Sequence, residues 1–138
     1  MSIIVEVEPR LAAWARVRFD GVANVRVVEG DSEQLMTGLI AELDQPALFY
    51  LDRHYSGGQT GKGQHETPVV KEVEAILRDA PNGSFVIIDD ARWFGRLQDY
   101  PPLLDFLCSL RDRGVDDAVV MNDSIQFSIR RHLCVPKR

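Results

Sequence analysis

The sequence is short of cysteine, of long apolar runs and of basic charge. Only Cys108 and Cys134 occur among 138 residues, too few and too far apart for a disulfide framework or a zinc motif. No apolar stretch approaches the ~18 residues that a membrane span needs. The opening Met1-Ser2-Ile3-Ile4-Val5-Glu6 has no basic segment ahead of an apolar one, so it does not read as a secretory signal. Sixteen Lys+Arg against 21 Asp+Glu leave a net charge of −5. Binding to nucleic acid or an anionic membrane needs a basic face, so neither is expected as the main task. The expectation is a cytoplasmic protein with reduced thiols. Cys108, inside the apolar run Leu103 to Leu110, is expected to pack as a small hydrophobe.

What remains is ordinary globular composition, 45% apolar and 27% charged. The length suits one domain over residues 1–138 and leaves no room for two cores. Short β-branched runs alternate with helical patterns. Ile3 to Val7 reads as a strand, and Pro9 suits the first turn of a helix running to Phe19. Its spacing places Leu11, Trp14 and Ala15 together and Trp14 in the core. Asn24 to Glu29 alternates as a strand. Asp31-Ser32 caps a helix with Leu35, Leu39, Ile40 and Leu43 on its apolar face.

Ala47 to Leu51 is continuously apolar, as in a strand covered on both faces. A Gly-rich loop runs from Ser56 to His65. Thr67 and Pro68 open a helix with Val69, Val70, Val73, Ile76 and Leu77 inward. Phe85 to Ile88 is another apolar strand, followed by a loop over 91–101. Pro102 to Arg113 is helical and stops at Gly114. Ala118 to Met121 and Ile125 to Ile129 form a hairpin around Asn122-Asp123-Ser124. The order β-α-β-α-β-α-β-α-β-β predicts a three-layer α/β fold, mostly parallel, with a C-terminal antiparallel hairpin.

Ligands in such sheets bind beyond the carboxyl ends of the strands. Acids stand at four such ends: Glu6 (or Glu8), Asp31, Asp52 and the pair Asp89-Asp90. Neighbouring parallel strands lie about 4.8 Å apart, close enough for Asp52, Asp89 and Asp90 to share Mg²⁺ or Ca²⁺. The alternative is that one of the pair caps a turn and the other meets Arg92 or Arg53. His54 stands two residues past a strand, where a general base or a structural histidine are both open readings. The loop around Lys62 is not a phosphate loop. Ser56 stands where the first Gly is needed and Gly63 where Ser or Thr must follow the Lys. A substrate-facing lid fits better. Trp93-Phe94 is a candidate pocket wall, and the basic tail around Arg130 and Arg131 a solvated one.

These residues resemble the class I S-adenosylmethionine-dependent methyltransferases, in particular metal-dependent small-molecule O-methyltransferases. Val5-Glu6-Val7-Glu8-Pro9 is similar to the family's second strand, which implies a cofactor-ribose role for Glu6. Glu29-Gly30-Asp31-Ser32 resembles the third strand end, implying that Asp31 and Ser32 line the adenine. Phe49-Tyr50-Leu51-Asp52 resembles the fourth, with its metal-binding acid, and Ile87-Ile88-Asp89-Asp90 the fifth. The resemblance implies S-adenosylmethionine as cofactor, with His54 or Lys62 deprotonating a hydroxyl held on a cation.

One part of the pattern is missing. The family's first strand and Gly-rich turn should precede Glu6 by roughly 20 residues, and that strand lies between the second and fourth. The expectation is an N-terminally truncated or degenerate relative without full cofactor binding. Its sheet must then pair those two strands directly or borrow a strand from a partner, which favours a homodimer. The active O-methyltransferase with a small-molecule substrate is the alternative. A Mg²⁺-dependent phosphate-handling enzyme at the same acid rim is a weaker one.

Overall fold

The computed structural model describes residues 1–52, 68–97 and 100–130. Strand β1 (Ser2–Glu6) leads into helix α1 (Pro9–Arg18), then β2 (Val25–Glu29), α2 (Ser32–Ala41) and β3 (Leu48–Leu51). Helix α3 (Pro68–Asp79), β4 (Phe85–Ile88), a short 3₁₀ turn (Ala91–Trp93), α4 (Leu103–Asp112), β5 (Val119–Met121) and β6 (Ser124–Ser128) complete the order. The alternation read from the sequence is therefore present.

Local chemistry sets the boundaries. Pro9 presets the first turn of α1, and the Glu8 carboxylate accepts the Arg10 N–H at 3.3 Å. Asp31 caps α2 by accepting the Glu33 N–H at 3.0 Å. Asn122 and Asp123 both adopt positive φ, 50° and 60°, giving the tight turn that joins two antiparallel strands without splaying them.

The sheet is divided. β1 pairs in parallel with β2, and separately the order β3-β4-β6-β5 forms a four-stranded sheet. β3 is parallel to β4, while β6 is antiparallel to both β4 and β5. Direct pairing of β1 with β3, one of the two expected ways to close the gap, does not occur. Among the described residues neither strand has a partner on its second edge.

The core lies on one face of the larger sheet. Val69, Val73 and Ile76 of α3 fall at helical spacing and pack with Val86 and Ile88 of β4, Ile125 and Phe127 of β6, and Phe106 and Leu110 of α4. Met36 and Ile40 of α2 join the same cluster, because α2 packs on α3. The opposite face is exposed at its two edges and half-buried between them. Leu48 and Tyr50 of β3 are 64% and 56% exposed, Phe85 is exposed beside Leu48, and Val119 and Met121 are exposed on β5 at the far edge. The expectation that β3 is covered on both faces is corrected here.

Two further expectations fail. Trp14 is 73% exposed rather than core, because α1 turns only Ala12, Ala15 and Phe19 inward and its side chains there are mostly small. Cys108 is exposed, because α4 directs Phe106 and Leu110 into the core instead. No described helix is long and apolar enough to cross a membrane.

Phe127 is nearly inaccessible to solvent on a central strand. Phe127→Ala should lower unfolding stability by about 3–5 kcal/mol. The check is a urea transition whose midpoint falls while its slope is unchanged.

Candidate functional site

The carboxyl ends of β3 and β4 converge on one rim. The Asp89 N–H donates to the Leu51 carbonyl at 2.9 Å and so extends the β3–β4 ladder beyond its last pair. This step sets Asp52 and Asp89 at adjoining strand ends. The Tyr50 hydroxyl donates to Asp89 Oδ2 at 2.5 Å, and Asp89 Oδ1 accepts the Asp90 N–H at 2.8 Å. The hydrogen bond to Asp89, followed by burial and the nearby carboxylates, pushes the Tyr50 phenol up to about 12.

Asp90 is buried and has φ of +59°, a left-handed conformation that costs energy for a residue with a side chain. Its carboxylate pairs with Arg92 at 2.6 Å. Arg92 in turn pairs with Asp123 in the hairpin turn, and the Arg92 N–H donates to Asp123 Oδ1 at 2.9 Å. The guanidinium also lies 5.3 Å from the centre of the Trp93 ring, within cation–π range. Asp89 thus accepts the next backbone N–H, and Asp90 meets Arg92. Among the described residues no three acids, histidines or cysteines gather closely enough to hold a metal ion.

The other strand ends are further along the rim. Glu6 is the last residue of β1, and its Oε1 accepts the Glu8 N–H at 2.9 Å. Asp31 serves as the α2 cap, and the Ser32 hydroxyl donates to Glu72 of α3. His54 and Lys62 lie outside the described residues, as do Thr67 and the tail beyond Arg130. Of the predicted pocket wall, Phe94 is buried and packs edge-on to Tyr100 with centroids 5.1 Å apart. Trp93 is half-buried.

Glu72 was not singled out from the sequence. Its signal is positional: a carboxylate on the helical stripe of Val69, Val73 and Ile76, and 2% exposed in the fold. A shallow hollow of about 400 Å³ is lined by Arg16, Phe19, Asp20, Val22 and Val27. It opens at the amino end of β2, away from the acid rim, so the acids rather than the hollow define the candidate site.

The Tyr50–Asp89 bond has a spectroscopic consequence. Below pH 10 the phenol is neutral and the bond intact; it is lost as pH rises through about 12. Ultraviolet titration should show one late phenolate step that disappears in Tyr50→Phe and moves down toward 10 in Asp89→Asn.

No family model matches this chain, and no curated protein matches it. Solved structures do. A provisionally assigned rRNA-methylase from Clostridium thermocellum aligns over 93% of this chain and 73% of its own, with TM-score 0.50 and 11% identity. A provisionally assigned methyltransferase from Streptococcus mutans, solved in complex with SAH, aligns over 91% of this chain and 72% of its own, with TM-score 0.51 and 13% identity. At such identities the likeness concerns backbone architecture, and this chain has the α/β fold of those methyltransferase structures.

Proposed function

We propose that this protein is a methyltransferase-like relative that keeps the fold and has lost full S-adenosylmethionine binding, serving as a binding module. The observation that carries this reading is the divided sheet. In the resembled order a Gly-rich strand stands between the counterparts of β1 and β3, and among the described residues no strand pairs with either facing edge. Backbone N–H groups from that strand's turn would otherwise meet the cofactor.

The second reading is an active O-methyltransferase in which His54 or Lys62 deprotonates a substrate hydroxyl. The SAH complex of the Streptococcus mutans structure favours it. A cation shared by Asp52, Asp89 and Asp90 would compete with Arg92 for the Asp90 carboxylate.

Calorimetric titration with S-adenosylmethionine and with SAH separates the two. The first reading expects no saturable heat at ligand concentrations near 1 mM, about −4 kcal/mol of binding free energy. A saturable SAH isotherm overturns it. Mg²⁺ should shift the thermal midpoint of the parent and of Asp52→Asn equally; a shift confined to the parent would restore the metal site.

A further inference from the structure

Helix α1 turns small side chains inward and large apolar ones outward. Ala12 and Ala15 take the side that packs on β1 and β2. Leu11, Trp14 and Val17 are 42%, 73% and 79% exposed. They recur every three residues and so share one side of the helix. A Trp held in water forgoes the burial that its large ring would otherwise gain.

Charge on this helix runs against the average of the chain. The whole sequence carries a net charge of −5, yet Pro9–Arg18 holds three arginines and no acid. Arg16 pairs with Glu29 at 2.9 Å. Arg10 and Arg18 are exposed, and neither guanidinium has an ion pair among the described residues. The Glu8 carboxylate, just ahead of the helix, accepts the Arg10 backbone N–H at 3.3 Å. Arg18 in the last turn complements the helix dipole, but Arg10 stands in the first turn, where a cation opposes it. The helix alone therefore does not account for Arg10. Arg10, Trp14 and Arg18 are four residues apart, in one row about 12 Å long, and Leu11 and Val17 flank Trp14.

We infer that this face of α1 docks on an anionic lipid bilayer, lying in the headgroup layer. Ten residues are too few to cross it. Charge and polarity together select this occupant. Two guanidiniums without ion pairs match a polyanion. A Trp ring suits the level between headgroups and hydrocarbon, and Leu11 and Val17 enter the apolar layer beside it. The long arginine stems follow the apolar stripe while their heads reach lipid phosphates. A single-stranded nucleic acid would offer phosphates to both arginines and a base to Trp14, but would leave Leu11 and Val17 in water. Charges beyond about 8 Å are largely screened at physiological salt, so the arginines of the face count for more than the net charge of the chain. This inference does not rest on the reading of cofactor binding.

The test uses the full chain and vesicles of phosphatidylcholine, with and without about one-third phosphatidylserine. Trp14 and Trp93 are the two tryptophans, so Trp93→Phe isolates the emission of Trp14. Co-flotation of the parent gives a second reading that needs no substitution. Anionic vesicles should carry the protein up the gradient and move Trp14 emission to shorter wavelength. Neutral vesicles should do so far less, and added salt should weaken the binding. Arg10→Gln and Arg18→Gln should each lower the partition coefficient about fivefold, and Trp14→Ser about tenfold or more, with unchanged far-ultraviolet circular dichroism. Absence of flotation with anionic vesicles overturns the inference. So does equal affinity for neutral vesicles, and so do arginine variants that bind like the parent. A single-stranded oligothymidylate that quenches Trp14 emission, when vesicles leave it unchanged, assigns the face to nucleic acid and overturns the inference as well.

Discussion

The packing of α2 on α3 is the contact on which the arrangement of this molecule depends. The sheet does not run through the molecule: β1 and β2 form one piece, and β3 to β6 another. Backbone hydrogen bonding cannot hold the two pieces together. Their union falls to side chains, chiefly Met36 and Ile40 of α2 in the cluster built around α3. Polar contacts follow the same seam, with Lys71 of α3 meeting Glu33 of α2 at 2.8 Å and Ser32 donating to Glu72. The exposed ion pair adds little on its own. Apolar burial on α3 supplies most of the attraction.

Much of this architecture was legible in the sequence. Element order, the Asp31 cap, the span Phe85–Ile88 and the Asn122-Asp123 turn all follow from local rules: period, capping and positive φ. The pairing of Asp90 with Arg92 was one of two open readings, and the sequence could not choose between them. The choice depends on where Asp123 sits, 31 residues beyond Arg92, and only the folded hairpin brings it there.

The failures share one cause. Period shows which residues lie on the same side of an element, but not what that side meets. Trp14 shares a stripe with Leu11, as expected, yet the stripe faces water because the small side chains of Ala12 and Ala15 take the inward position. The run from Ala47 to Leu51 reads as doubly covered because both of its faces are apolar. Only the folded topology shows that all of α2, α3 and α4 contribute to a core on one of them. Glu72 stayed unnoticed for the converse reason: its neighbours made the stripe look complete without it.

The Arg92–Asp123 clamp joins the acid rim to the C-terminal hairpin. Asp123 holds Arg92 through its side chain and receives the Ala91 N–H on its carbonyl at 2.7 Å. Asp90, in its left-handed conformation, is thereby anchored to the turn that follows Met121. β5 ends at this turn, so the strand edge and the rim carboxylate meet at the same few residues. The edge of the sheet and the acid rim are therefore tied to one another by two residues of turn and one guanidinium.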